Sequence, residues 1–231
     1  HMRQVRHLIV LSGDLTDGPL VNWLCSERDH VVAADGGADH LRRLHIIPDL
    51  VVGDFDSILS QSQAWIDENK IKVHRFPTAK NATDSEIALE ASLAALPEGV
   101  VPSDVELVFL GALGSRPDHV LGNQMMAASL AQQGYQVVMS DGISLLYALT
   151  GPGQKSVDLT QLPQTDWAVS VVSISPLAQG LSYQGLRYPL DHFDLTFGSS
   201  RGISNEPADP SGSVTIRLEA GTVLIILTPA Q

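Results

Sequence analysis

The stretch PDLVVGDFDSI, residues 48–58, joins a strand-like apolar run to a pair of carboxylates. The run ends at Gly53, and Asp54 and Asp56 follow with only Phe55 between them. Like charges at this range repel, so each carboxylate needs water, a hydrogen-bond donor or a cation. A turn in which the carboxylates accept hydrogen bonds from nearby backbone N–H groups is an equally good explanation of the pair.

The segments around this stretch alternate between strand-like and helix-like patterns. Further strands are predicted at 7–13, 30–37, 72–77, 105–112 and 135–142, and helices at 19–27, 38–45, 60–69, 83–96 and 118–134. Such alternation is typical of a mostly parallel sheet that is covered by helices on both faces. We therefore predict a doubly wound α/β domain over residues 3–150.

The remaining residues follow a different pattern. Short alternating segments are separated by Gly and Pro turns, and no long helical period occurs. This pattern predicts a smaller antiparallel β-sandwich domain over residues 151–231, with the boundary near LTGPGQKS, residues 149–156.

The composition excludes several classes of function. With 14 basic and 26 acidic residues, the formal net charge of −12 argues against general nucleic-acid binding. An anionic substrate is still compatible with this charge, because a bound divalent cation reverses the local field. No apolar run approaches the roughly 18 residues of a membrane-spanning helix, so no membrane partner is expected. The single Cys25 has no disulfide partner, and a cytoplasmic location is the default expectation.

Acidic residues follow several of the predicted strands. Ligands of an open α/β sheet bind outside the carboxyl ends of its strands, so side chains from distant segments can meet in one crevice there. Asp84 instead begins the clearest predicted helix, where Thr83 and Glu86 have the spacing of a capping box. The candidates for this crevice are Asp35, Asp54, Asp56, Asp84, Arg116, Asp118 and His119.

A magnesium ion would explain why these acids tolerate one another. Carboxylates two residues apart on an extended segment point to the same side, so Asp54 and Asp56 could share one cation. Magnesium prefers oxygen ligands and is usually completed by water and substrate phosphates. Simpler explanations remain open, because Asp84 also suits the helix dipole and Asp118 could cap the helix that it begins. The chain has no GxxxxGK[ST] phosphate loop, so a P-loop kinase is excluded.

Five segments carry a further signal when they are taken together: AADGGADHL (33–41), PDLVVGDFDS (48–57), KNATDSEIAL (80–89), GALGSRPDHVLGN (111–123) and RGISNE (201–206). In this combination and order they resemble the thiamine pyrophosphokinase family. The resemblance implies the same two-domain architecture and a homodimer that holds thiamine near the subunit interface. It also implies that ATP and thiamine are converted to AMP and thiamine diphosphate.

The resemblance implies a role for individual residues as well. Mg²⁺ would be held by Asp54, Asp56 and Asp84. Asp35, Gly36, Gly37, Lys80, Thr83 and Arg116 would lie at the nucleotide. Asp118 would orient or deprotonate the thiamine hydroxyl, or hold metal-bound water. Thiamine would contact Tyr188 of GLRYPL (185–190), with Ser204 and Asn205 at its pyrimidine; a packing tyrosine and a turn are the plain alternatives.

Two positions depart from the family pattern. Asn81 stands where the family usually has an Asp, and Ser115 stands where a Gly is common. Asn81 leaves the number of bound metal ions open. Two other functions are also compatible with the sequence: a magnesium-dependent phosphohydrolase of a nucleotide or sugar phosphate, and a non-catalytic sensor of thiamine or a nucleotide.

Overall fold

The computed structural model of the chain describes residues 4–76, 81–114, 116–164 and 166–231. Its α-helices are α1 (Pro19–Cys25), α2 (Gly37–Arg43), α3 (Ser60–Glu68), α4 (Asp84–Ala94) and α5 (Pro117–Gln132). Its first strands are β1 (Val5–Val10), β2 (His30–Ala34), β3 (Leu50–Gly53), β4 (Val73–Arg75), β5 (Val105–Leu110) and β6 (Gln136–Ser140). The later strands are β7 (Leu145–Thr150), β8 (Gly153–Asp158), β9 (Trp167–Ser173), β10 (Leu177–Gln184), β11 (Phe193–Thr196), β12 (Ser213–Leu218) and β13 (Thr222–Pro229). Strands and helices thus alternate up to β6, and only strands and short 3₁₀ turns follow.

The larger sheet has nine strands in the order β4-β3-β2-β1-β5-β6-β7-β13-β9. Strands β1 to β6 are parallel to one another, whereas β7, β13 and β9 pair antiparallel with their neighbours. The chain runs outward from β1 to β4 and then returns to the other side of β1 for β5. The strand order therefore reverses between β1 and β5, which is where open α/β sheets bind ligands.

One row of paired residues crosses this sheet at the carboxyl ends of the parallel strands. From β3 to β9 the row is Val51, Ala33, Val10, Leu110, Ser140, Leu145, Leu227 and Val169. Because β9 runs opposite to the parallel strands, its first half lies at this same edge of the sheet. The edge therefore extends from the acidic segments that follow β2 and β3 to the start of β9.

Each face of the nine-stranded sheet has its own core. Helices α4 and α5 cover one face. Helices α1 to α3 cover part of the other face, and a four-stranded sheet of order β11-β10-β12-β8 covers the rest, packing on β7, β13 and β9. The predicted fold class is confirmed: a mostly parallel sheet covered by helices, with a smaller antiparallel sheet that completes a sandwich.

Two details differ from what the sequence pattern indicates. Strand β11 was not predicted, since its four residues are too few to show a clear alternation. Strands β9 and β13 lie after residue 150, yet they extend the same sheet as β7. The domain division at residues 150 and 151 therefore stays a prediction. None of the described helices has the length and apolar content needed to cross a bilayer.

Candidate functional site

A cleft of about 250 Å³ opens between the ends of β1 and β5, where the strand order reverses. The loops that follow these two strands line it, together with the first turns of α4 and α5. Its lining includes Ser12, Gly13, Thr83, Asp84, Gly111 and Arg116. Three of these residues, Thr83, Asp84 and Arg116, were predicted from the sequence to act at the nucleotide or the metal.

Three other cavities are larger: two, of about 440 and 500 Å³, lie beside Tyr147 and Lys155 along β7 and β8, and a third, of about 280 Å³, lies beside His7 and His30. None of the three is lined by a residue that the sequence predicts to bind a substrate or a metal. The residues that line the cleft and its place at the reversal of strand order therefore favour it as the candidate site, although other cavities are larger.

The loops after β1 and β5 meet backbone to backbone at the cleft. The Gly13 N–H donates a hydrogen bond to the Gly111 carbonyl oxygen at 2.9 Å. A side chain on Gly13 would overlap that same oxygen, and Gly111 has a φ of +72°, which favours glycine. Sequence reasoning did not identify Ser12 and Gly13 as site residues. A glycine in the first strand–helix turn of an α/β sheet is a signal that could have found them.

Three of the predicted acids come together beside this cleft. Asp35 follows β2 and is 4% exposed, and its Oδ1 accepts a hydrogen bond from the Phe55 N–H at 3.2 Å. Burial is the main cause that raises the pKa of Asp35 to about 7. A hydrogen bond with the Asp84 carboxyl, the charge of Asp84 and the charge of Asp54 raise this pKa further. The structure therefore holds the carboxyl groups of Asp35 and Asp84 in contact, with Asp54 close by.

Gly53 makes room for this arrangement. A side chain at position 53 would overlap the Asp35 carboxylate. Gly53 also has a φ of +135°, which residues other than glycine rarely adopt. The glycine that ends β3 is thus required because the carboxylate from β2 occupies the space beside it.

The expectation that Asp54 and Asp56 lie on an extended segment is wrong. Phe55 between them has a φ of +70°, and the Asp56 N–H donates to Asp54 Oδ1 at 3.0 Å. The chain turns here, as the turn explanation of this sequence allows, so strand alternation does not align the two side chains. Asp56 is exposed. Its role as a metal ligand stays a prediction.

Arg116 and Asp118 form a pair at the start of α5. Arg116 Nη2 donates to Asp118 Oδ2 at 3.2 Å, and both side chains are about two-thirds exposed. The His119 N–H donates to Asp118 Oδ1 at 2.9 Å and is the main cause that lowers the pKa of Asp118. Asp118, in the first turn of α5, thus bonds one N–H group of that turn and also bonds Arg116, which itself lines the cleft. Asn123 also lines the cleft, where its Nδ2 donates to the Ala112 carbonyl oxygen at 2.9 Å.

The other described residues that were predicted to lie at the nucleotide also cap a helix or pack against a neighbouring strand. Thr83 caps α4 by accepting a hydrogen bond from the Glu86 N–H at 3.3 Å, and it also lines the cleft. Gly36 and Gly37 begin α2 and pack against the end of β1 and the loop that follows it. Lys80 and Ser115 lie outside the described residues.

The residues predicted to bind thiamine form a second group. Asn205 is buried, and its side-chain amide accepts from the Tyr188 N–H at 3.1 Å and donates to the Tyr188 carbonyl oxygen at 2.8 Å. These bonds fix the backbone of Tyr188, whose side chain is 57% exposed and lies next to Arg187. Ser204 is also exposed and has a φ of +61°. Asn205 therefore holds Tyr188 in place, and Tyr188 is not the packing residue that its strand-like sequence allowed.

The two groups lie at the same edge of the sheet but far apart. Asn205 pairs with Val169 of β9, while Asp54 follows β3, and seven inter-strand steps separate these strands. At about 4.8 Å per step, the separation along the sheet is roughly 30 Å. The structure thus brings the acids and Arg116 to one region, but it does not bring Tyr188, Ser204 or Asn205 there within one chain.

The donor set beside the cleft suits a magnesium ion. Among the described residues, no three Asp, Glu, His or Cys side chains converge on a point that would hold a metal. Mg²⁺ needs only one or two protein carboxylates, because water and substrate phosphates complete its shell. Asp84 and Asp54, which both lie close to Asp35, supply two carboxyl groups, and their oxygen atoms match the preference of a hard cation.

Comparisons with known proteins found matches for both parts of the chain. The family model for the thiamin pyrophosphokinase catalytic domain matches residues 21–139. The model for the thiamin pyrophosphokinase vitamin B1 binding domain matches residues 157–223. A thiamine pyrophosphokinase of Bacillus subtilis (strain 168) is 27% identical over 218 residues, which cover 94% of this chain and 96% of that protein.

Solved structures show the same fold. A crystal structure of thiamine pyrophosphokinase from Bacillus subtilis has a TM-score of 0.82 and 24% identity, and the match covers 98% of this chain and all of that one. Thiamin pyrophosphokinase from Candida albicans has a TM-score of 0.80 and 17% identity, with 98% and 90% covered. At these identities the likeness concerns the fold alone.

Proposed function

Because the chain belongs to the thiamine pyrophosphokinase family, we propose that it transfers a pyrophosphoryl group from ATP to the hydroxyl of thiamine. It is an enzyme of the thiamine diphosphokinase type, and thiamine diphosphate is its product. The use of ATP and the release of AMP are the proposed part. The observation that carries it is the contact between the buried Asp35 and the half-buried Asp84, with Asp54 close by, on a cleft that Asp84 and Arg116 both line.

The acids and Arg116 have complementary tasks in this proposal. Asp84, with Asp54 and Asp56, would hold Mg²⁺, which when bound neutralises phosphate oxygens and favours attack on phosphorus. Asp35 lies behind Asp84 and fixes its carboxyl group by a hydrogen bond. The planar fork of Arg116 binds phosphate oxygens, and its bond to Asp118 orients it towards them. Thr83 and Lys80 are proposed as further contacts of the nucleotide.

Asp118 is the proposed contact of the thiamine hydroxyl. Its lowered pKa keeps its carboxylate ionised near neutral pH, in the form that accepts a hydrogen bond. This state suits orientation of the hydroxyl better than strong proton abstraction. Its other proposed task, holding metal-bound water, requires the same ionised form.

A homodimer would join the two groups of residues. The Tyr188 region lies at the same edge of the sheet as the acids, seven strand steps from Asp54 and four from Asp118. These steps correspond to roughly 30 and 20 Å along the sheet, which is too far for a single small substrate to bridge. Thiamine bound on Tyr188 of one subunit would meet the acids of the other. In a two-fold dimer each interface contact occurs twice, so two equivalent sites would form. The exposed ring of Tyr188 offers a face for the cationic thiazolium ring of thiamine.

Incubation of the chain with ATP, thiamine and Mg²⁺ tests the proposal. AMP and thiamine diphosphate should form in equal amounts, and neither should form when thiamine is left out. Thiamine-independent release of phosphate would instead identify the phosphohydrolase. Binding of both ligands without turnover would identify the sensor, for which Asn81 is the only feature of the sequence.

Three further predictions accompany this function. A magnesium ion is the expected cofactor, and replacement by Ca²⁺ should abolish turnover, because Ca²⁺ prefers a larger and more flexible shell. A cytoplasmic location and the lack of a nucleic-acid partner stay predictions that rest on the composition.

A further inference from the structure

We propose that His40 of α2 is a positioning residue for the nucleotide, because it holds the loop after β1 in the shape that lines the cleft. This loop, residues 11–18, includes Ser12 and Gly13, both of which face the cleft. The inference rests on the proposed function only in taking ATP as the ligand of the cleft. His40 itself does not line the cleft, so it acts through the loop.

The hydrogen bonds of His40 define its protonation state. Its Nε2 lies 2.7 Å from the Gly13 carbonyl oxygen, and its Nδ1 lies 2.7 Å from Arg43 Nη2. A carbonyl oxygen only accepts hydrogen bonds and a guanidinium only donates them. Nε2 must therefore carry the proton and Nδ1 must be free of one, so His40 is neutral. Burial lowers the pKa of His40, which agrees with this assignment.

Arg43 gives the loop a second attachment to α2. Its Nε and Nη2 donate to the two carboxylate oxygens of Asp17, at 3.0 and 3.1 Å. The same guanidinium thus bonds Asp17 at one end of the loop and His40, which bonds Gly13 at the other end. The charged groups that face His40 are Arg43, Asp17 and Asp39.

Gly13 is held from both sides as a result. Its N–H is bonded to the loop after β5 through Gly111, and its carbonyl oxygen is bonded to α2 through His40. These bonds fix the peptide groups on both sides of Gly13 across the point where the strand order reverses. Since a binding site gains affinity from groups that are already in place, loss of the His40 bond should weaken nucleotide binding more than thiamine binding.

Two substitutions at His40 separate positioning from packing. His40→Phe keeps a ring but removes both hydrogen bonds, whereas His40→Gln keeps a side-chain N–H that can reach the Gly13 carbonyl oxygen. We expect His40→Phe to raise the KM for ATP about tenfold, the effect of leaving one partly buried acceptor unpaired. Its kcat and its KM for thiamine should change less than about twofold. His40→Gln should restore most of the affinity for ATP.

Arg43→Met and Arg42→Met form a matched pair on the same helix. Arg43→Met removes the attachment to Asp17 and His40, and should raise the KM for ATP about threefold. Arg42 instead donates to Ser62 Oγ of α3 at 2.9 Å, away from the loop, so Arg42→Met should leave this KM unchanged. Because Arg43 is partly exposed, its variant decides the question if His40→Phe does not fold.

Calorimetric binding of ATP alone separates this inference from the proposed function. If wild type binds ATP without making thiamine diphosphate and His40→Phe binds it more weakly, the positioning role stands and the proposed function fails. Folded variants of His40 and Arg43 that keep the wild-type affinity for ATP would overturn the inference. Equal increases in both KM values, with no rescue by Gln, would identify a purely structural role, and a wild type that binds no ATP would overturn both proposals.

Discussion

The acids beside the cleft and the Tyr188 region differ in how well their polar groups are satisfied. Asp35 and Asp84 press two carboxyl groups together in a partly buried place, where burial and charge both oppose ionisation. Around Tyr188, by contrast, the buried Asn205 amide bonds both backbone groups of Tyr188 and also accepts from the Glu206 N–H at 2.9 Å. One region is electrostatically incomplete, while the other is fully bonded and exposes an aromatic ring.

The difference indicates what each region requires from a ligand. In the proposed function, the carboxyl groups held together in the free protein would be completed by a cation and its phosphates, so we expect this region to lower the stability of the free protein in favour of binding. An aromatic ring on a backbone whose polar groups are hydrogen-bonded presents a contact surface to a ligand and hardly lowers the stability of the folded protein. Substitutions should therefore trade activity against stability in the first region, and affect only substrate affinity in the second.

Asp84→Asn should have the largest effect on activity. It removes a proposed metal ligand, so turnover should fall at least about 100-fold, more than the usual loss for a residue that only supports a ligand. It also removes a charge beside Asp35, so the melting temperature in the presence of a chelator should rise by about 2 °C. Steady-state kinetics and thermal unfolding measure the two effects. Asp67 is an exposed acid on α3, so Asp67→Asn removes the same charge but should change neither turnover nor the melting temperature. An Asp84→Asn variant that stays active or is destabilised would contradict the proposed role of Asp84.

Tyr188→Ala should raise the KM for thiamine about tenfold, which is the value of a cation–π contact of roughly 1–2 kcal/mol. The KM for ATP and the melting temperature should stay at their wild-type values, since the Asn205 bonds are made to the backbone of Tyr188. Tyr188→Phe keeps the ring and should behave like wild type. An unchanged KM for thiamine in the Ala variant would separate this region from the substrate.

Mixing the two variants tests whether both regions act in one site. If thiamine lies between subunits, a mixed dimer of Asp84→Asn and Tyr188→Ala chains has one site with both lesions and one intact site. At low thiamine the activity should rise from about 5% to about a quarter of wild type after subunit exchange, because half of the dimers are mixed. Activity that does not change on mixing would mean that thiamine and the acids meet within one chain, contrary to the roughly 30 Å separation.

The smallest effect should come from His7, at the opposite edge of the sheet and outside both regions. Burial, followed by the nearby His30, lowers the pKa of His7. In the unfolded chain His7 binds a proton below its ordinary pKa of 6.5, whereas in the folded chain it does so only at a lower pH. The stability of the fold is therefore highest above pH 6.5 and falls as the pH is lowered. Between pH 7.5 and 5.5 the melting temperature should drop by about 2–4 °C from this group. The drop should be smaller in His7→Gln, which can still bond to Ser92; an equal drop would exclude His7 as its source.

The position of the acids could be predicted from the sequence because it depends on short-range patterns. Asp35, Asp54 and Asp84 follow strands or begin a helix, and the carboxyl ends of parallel strands meet at one edge whatever the strand order. The relation between Asp54 and Asp56 could not be predicted in this way. It depends on the left-handed conformation of Phe55, which alternation does not encode.

The missed residues Ser12 and Gly13, and the hydrogen bonds of the predicted residue Asn205, depend on contacts between distant segments. Ser12 and Gly13 belong to the site because β5 lies next to β1, a neighbour some 100 residues away along the chain. The role of Asn205 follows from the bonds that its amide makes to the backbone of Tyr188, 17 residues away. Neither pairing leaves a periodic signal in the local sequence.

The sequence by itself determined the order and type of most elements, the two classes of sheet and the carboxylates that follow the strands. Local periodicity, capping residues and turn residues carry this information within a few neighbouring positions. Only the tertiary structure decided that the strand order reverses between β1 and β5, that Asp35 touches Asp84 and that Tyr188 lies roughly 30 Å from them along the sheet. Strand neighbours are chosen by long-range pairing and by the packing of both faces, so their choice becomes visible only when the whole chain has folded.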